Sequence, residues 1–135
     1  MIEFLLHPNS GVSPYLQIVQ QVRQALRLGL LREGDRLPTI KAVVAQLAIN
    51  PNTVLKAYRE LELEGLVEPR PGAGTFVTRT LADHTVAAHE PLRADLRAWL
   101  DRAWQAGLDD DSVEALLWTT FRAAQREAGS NEDMT

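Results

Sequence analysis

From Ile49 to Arg59 the chain reads INPNTVLKAYR, in which Asn50, Asn52, Thr53, Lys56 and Arg59 offer hydrogen-bonding groups or positive charge. An asparagine amide can pair bidentately with an adenine edge, and a threonine offers a hydroxyl or a methyl group. Lysine and arginine supply the charge that a phosphate backbone attracts. Pro51 has no N–H to lose, which suits the first position of a helix, and Asn50 before it is a strong N-cap. Capping engages the Asn50 side-chain oxygen and leaves Asn52 and Thr53 to face outward. Lys56 lies one turn on, so it shares their face. Two plainer readings stand beside this one. Asn-Pro-Asn can serve only to start a helix, and Arg59 with Glu60, Glu62 and Glu64 can be a solvated face. Leu55, close to the same surface, either touches a thymine methyl or packs within the fold.

Further basic residues stand on separate segments. Lys41 opens the preceding helix, and Arg70 stands beside the tip PGAG, where Gly72 lets backbone approach a groove or a phosphate. Basic residues on three elements of one face make a candidate footprint for double-stranded DNA. Other chemistry is scarce. The absence of cysteine excludes disulfides, thiolate metal sites and cysteine nucleophiles. Asp109–Asp111 are aspartates of a helix's first turn, normally caps, so no catalytic residue is assigned and the chain is not read as an enzyme. Asp83, His84, His89 and Glu90 could hold a metal effector, or His84 and His89 are incidental to a linker. No metal site and no cofactor is assigned.

These residues need elements to position them. Residues 1–13 read as an arm, followed by a helix from Pro14 to Leu28 with apolar positions Leu16, Val19, Val22 and Leu26, Ser13 as N-cap and Gly29 at its end. Thr39 caps a short helix with the stripe Ile40, Val43, Val44 and Leu47. The helix after Asn50 buries Val54, Ala57, Tyr58 and Leu61. Ile49 can staple onto Val54, and Gly65 ends the helix with Leu66 contacting Leu61. Leu66–Glu68 and Thr75–Thr78 are extended runs around a Pro/Gly-rich tip, a hairpin with a long loop. Helix, helix, short turn, helix, hairpin is the order of a winged helix-turn-helix. In that arrangement the second helix of the motif enters the major groove, and its first turn reaches base edges.

Residues 80–90 lack a period and read as a linker. Beyond Pro91 a helix carries Leu92, Leu96, Trp99, Leu100, Ala103 and Trp104 on one side and ends at Gly107. The run Asp109–Ser112 gives the next helix an acidic, capping start, and its stripe is Val113, Leu116, Leu117, Phe121 and Ala124, with Trp118 beside it. Residues 129–135 read as a disordered polar tail. The fold class is therefore mainly α with a small β-hairpin. A winged helix-turn-helix domain (1–79) precedes a linker (80–90) and a two-helix segment (91–128). Two helices with three tryptophans cannot bury their apolar faces on each other alone. Leu92, Leu96, Trp99, Leu100, Trp104, Leu116, Leu117 and Phe121 are the expected dimer interface, against packing on the first helix as the alternative.

Charge and composition agree with two parts. At 135 residues, 45% hydrophobic and 24% charged, the chain is ordinary for a globular domain with a smaller appendage. Residues 1–79 hold nine Lys/Arg against seven Asp/Glu, a net of +2, and residues 80–135 hold five against eleven, a net of −6. A weakly basic front and an acidic rear fit a polyanion-binding module joined to a segment with another job. No apolar run approaches a membrane span, and MIEFLLHPNSG has no basic stretch before its apolar one, so the chain is expected in the cytoplasm with no membrane partner.

The segment GDRLPTIKAVVAQLAINPNTVLKAYRELELEGLVEPRPGAGTFV (Gly34–Val77) closely resembles the DNA-binding domain of GntR-family bacterial transcription regulators. GDRLPT, the NPNTVLKAYRELE helix and the GAGTFV wing stand in that family's order and spacing, and PYLQIVQQVRQAL resembles its first helix. The resemblance places DNA contacts on Lys41, Asn50, Asn52, Thr53 and Gly72. Leu55 stands where some members carry a reading arginine, so no base preference is carried over. The rear segment is too short for the family's large effector domains and resembles the YtrA-type subfamily, whose helical extension makes a homodimer. The resemblance implies a regulator, a repressor by preference, bound to an inverted-repeat operator. The alternatives are gating by a metal or an unknown small-molecule effector at the linker or dimer interface, and a helical protein-interaction module.

Overall fold

The computed structural model describes residues 2–8, 10–81 and 86–133, and the chain divides into two units, residues 1–89 and 90–135. The first unit holds α1 (Pro14–Arg27), α2 (Ile40–Leu47), α3 (Pro51–Leu63), β1 (Val67–Arg70) and β2 (Gly74–Val77). The winged helix-turn-helix order expected from the sequence is the order observed. Tyr15 in the first turn of α1 meets Lys56 midway along α3, and Arg23 farther along α1 pairs with Glu64 at the C-cap of α3, so the two helices run in the same sense. Their facing stripes, with Val43 from α2 and Leu37 and Val77 beyond, make one core in which Ile18, Val22, Leu26, Val54 and Leu61 are fully buried. Each such aliphatic side chain contributes about 1.5–3 kcal/mol on burial.

Local signals set most helix ends. Thr39 Oγ1 accepts from the Ala42 N–H at 3.1 Å and starts α2. Gly65, at φ +75°, closes α3 with the Leu66 N–H on the Leu61 carbonyl (3.0 Å) and its own N–H on Glu62 (2.9 Å). That is the Schellman pattern read from the sequence. Ser13 differs. Its backbone is extended as a cap requires, but its side chain makes no capping bond. The arm before α1 is held by glutamines instead. Buried Gln17 accepts from the His7 N–H at 2.7 Å and donates to the Val12 carbonyl at 2.8 Å, and Gln21 bonds both backbone groups of Leu5.

The wing also departs from expectation. Its strands run to Arg70 and from Gly74, so the turn is residues 71–73 rather than a long loop. Pro69 is tolerated inside β1 because it faces Thr75, whose carbonyl is turned the other way to accept from the Leu37 N–H at 2.9 Å. Pro69 thus occupies an edge position at which no ladder N–H is needed. Residues 34–37 pair with the free side of β2 through Leu37, through Val77 N–H to Asp35 (2.8 Å), and through the bridge between Arg36 and Phe76.

Two long helices follow, α4 (Val86–Gln105) and α5 (Asp110–Asp133). Both exceed their expected bounds. α4 begins inside the stretch read as linker and carries Pro91 in its second turn, because the alanine-containing VAAHE favours helix enough to absorb one missing N–H. α5 continues through Gly129 and Ser130 to Asp133, where a polar tail was expected. One glycine costs a helix only about 1 kcal/mol. At the joint of the second unit Gly107 ends α4, and Asp109 accepts from the Ser112 N–H at 2.8 Å to cap α5. The Ser112 side chain, together with that N–H, holds the exposed Asp109 carboxyl below its ordinary range. Ala103 and Val113 are buried there.

Candidate nucleic-acid interface

The start of α3 answers what its hydrogen-bonding cluster does. Asn50 is extended (φ −61°, ψ 133°), and its Oδ1 accepts from the Asn52 N–H at 2.8 Å. The cap therefore consumes the Asn50 oxygen, as the sequence implies. Asn52, Lys56 and Arg59 lie at i, i+4 and i+7, all exposed, on the side opposite buried Val54, Ala57 and Leu61. Thr53, expected to face outward, is half-buried, because it lies about 100° round the helix from Asn52, towards the core side. Leu55 is likewise half-buried, which gives it a share in the packing. Lys56 is held, with its Nζ 3.9 Å from the centroid of the Tyr15 ring. A cation–π contact of this kind is worth about 0.5–1 kcal/mol at an exposed site, enough to bias where the ammonium sits.

Around α3 stand the other expected contacts. Lys41 is exposed in the first turn of α2. The turn to α3 passes through Ala48 in the left-handed region (φ 53°), a conformation costing an L-residue about 1–2 kcal/mol. Tyr58 ties α3 to the loop before α2, its buried hydroxyl donating to the Pro38 carbonyl at 2.6 Å. At the wing, Gly72 is exposed at the tip, and Arg70 packs over the Phe76 ring at 4.5 Å. Arg70 is also paired with Glu68 at 3.1 Å, so it is partly neutralised.

The surface is thus one helix start bearing outward amide and basic groups, with a basic residue on α2 and a wing beside it. Residues 14–77 match the family described as bacterial regulatory proteins, gntR family. Over 129 residues the chain is 30% identical to the HTH-type transcriptional repressor YtrA of Bacillus subtilis (strain 168), covering 95% of this chain and 98% of that protein. The chain belongs to the GntR family. The solved structure of YtrA from Sulfolobus acidocaldarius, a GntR-family transcription factor, is similar at a TM-score of 0.53 and 27% identity, covering 76% of this chain and 97% of that one. The similarity to YtrA proteins along most of the chain makes this a YtrA-type GntR regulator, a transcription regulator with a GntR DNA-binding domain and not an enzyme.

Sequence reasoning missed three residues of this GntR surface: Tyr15 under Lys56, Glu68 on Arg70, and Arg36 beside the wing. The alternation of Glu68 and Arg70 on one strand face was a usable signal. Tyr15 and Arg36 had none, because each depends on a partner about 40 residues away. In the second unit, Leu92, Leu96, Trp104, Leu116 and Phe121 are exposed, and Trp99, Leu100 and Leu117 are half-buried. Trp104 Nε1 donates to Asp110 at 3.0 Å, and exposed Trp118 stands edge-on to Phe121 at 5.9 Å. His84 and Asp83 lie outside the described residues. Among the described residues no three His, Asp or Glu side chains gather as metal ligands, and no helix is long and apolar enough to cross a membrane.

Proposed function

We propose that this GntR regulator acts in the cytoplasm as a homodimer that binds an inverted-repeat operator and represses the genes beside it. The observation that carries the reading is the division of roles at the start of α3. Asn50 caps while Asn52 stays exposed, on the stripe that continues to Lys56 and Arg59. In the major groove Asn52 meets a base edge, Thr53 supports it, and Lys56, Arg59 and Lys41 meet phosphates. Arg70 and Gly72 bring the wing to the backbone. Repression follows the name of the Bacillus subtilis relative.

The apolar face of α4 and α5 supports the dimer. Leu92 is 69% exposed and Phe121 52%, and side chains of this size in a row call for a partner. Two-fold pairing through Leu96, Trp99, Leu100, Trp104, Leu116 and Leu117 presents two recognition helices and requires a palindromic site. A recess of about 380 Å³, lined by Trp99, Arg102, Ala103, Ala106, Leu108 and Leu116, is the candidate seat for a small-molecule effector. Its size is near the lower end for ligand sites.

The test is selection of bound sequences from a random duplex library. Enrichment of an inverted repeat, with half-sites about one helical turn apart, is the expected result. Enrichment of a single half-site speaks against the dimer, and no enrichment speaks against sequence-specific binding by the free protein.

A further inference from the structure

Arg36 lies outside the helix-turn-helix and outside the hairpin, yet the fold delivers it to the wing. Residues 34–37 run alongside β2, hydrogen-bonded to Thr75 and Val77, with Arg36 bridged to Phe76. Phe76 is paired on its other side with Glu68, and Gly74 with Arg70. Partners across a ladder and residues two apart along a strand share a face. Arg36, Phe76, Glu68, Gly74 and Arg70 therefore point the same way, opposite the buried Val67 and Val77.

Gly74 makes room on that face. It sits at φ +124°, and a β-carbon placed on it would lie 2.8 Å from Arg36 Nε. The Arg36 side chain thus lies across the bare backbone of Gly74, the residue paired with Arg70. Arg70 is steered to the same place by the Phe76 ring at 4.5 Å. Two exposed arginines thus lie on one face of the wing, Arg36 across Gly74 and Arg70 over the Phe76 ring. Among the described residues Arg36 makes no ion pair. Glu68 covers only Arg70, at 3.1 Å and half-exposed. Two positive charges on one face attract an anion, and a guanidinium fork fits phosphate oxygens.

We infer that Arg36 is a DNA-phosphate ligand of this regulator, seated on Gly74 beside Arg70, and that Glu68 competes with the phosphodiester for the pair. The inference rests on the DNA-binding reading and extends it to a residue before α2. Arg36 carries affinity without base preference, since phosphate contacts position a protein and do not read sequence. Glu68 lowers that affinity by occupying Arg70 in the free protein.

The test is fluorescence anisotropy across a salt series, with the full chain, its selected operator duplex and a shuffled duplex. Wild type is compared with Arg36→Gln and with Glu68→Gln, which leaves Arg36 in place and alters only an exposed side chain. The expected results are that Arg36→Gln weakens both duplexes by the same factor and reduces the salt slope by about one unit. Glu68→Gln tightens both. A merely structural role for Arg36 would leave the slope unchanged. A wild type that binds normally, with Arg36→Gln unchanged in slope or Glu68→Gln no tighter, overturns the inference and leaves the functional reading standing. A wild type that binds neither duplex overturns both.

Discussion

Asn50 and Asn52 stand two residues apart with different duties, and single substitutions should separate them. Asn50→Ala removes the acceptor of the Asn52 N–H and should cost about 1 kcal/mol of stability, seen as a lower denaturation midpoint, with operator preference intact. An unchanged midpoint would deny the cap its role. These positions were legible from sequence because a cap, a proline at the first helical position and an i, i+4 stripe are local patterns. The neighbours that complete the surface were not. Lys56 finds Tyr15, and Arg36 finds Gly74, only once helix packing and the bridge to β2 have brought distant segments together.

Among the elements, α3 was the most legible, since Asn50, Pro51 and Gly65 fix both ends. The wing was less so. Pro69 reads as a strand breaker until Thr75 is seen to turn its carbonyl towards Leu37. The limits of α4 and α5 were least legible, because propensity rather than a cap decides how far they extend. Tyr58 ties α3 to the loop before α2 through Pro38. Burial pushes its phenol far above the ordinary value of 10.0. The raised value means that the folded state favours the protonated phenol, so this stabilisation is fully present below pH 10 and is lost as pH climbs beyond it. Tyr58→Phe should cost about 1–3 kcal/mol at neutral pH by leaving the Pro38 carbonyl unpaired. It should also flatten the loss of stability at alkaline pH. Urea melts at neutral and alkaline pH check both, and an equally steep alkaline loss in the variant would place its origin elsewhere.

The whole molecule joins a weakly basic front to an acidic rear, and the account gives the rear to self-association. Leu96 and Leu116, on α4 and α5, are 46% and 44% exposed, so replacing both with glutamate should leave each helix intact and charge the proposed interface. Light scattering should then report the 15.0 kDa of one chain, against twice that for the wild type, and operator affinity should fall far more than affinity for a lone half-site. A wild type already monomeric on its operator would remove the dimer. The central claim is narrower: the first turn of α3 reads bases, once in each half-site. Repeating the sequence selection with Asn52→Ala tests it most directly. The account predicts that preference collapses at one position and at its symmetry mate, at a cost of about 1–3 kcal/mol each, while the other positions keep theirs. A motif recovered unchanged would contradict it.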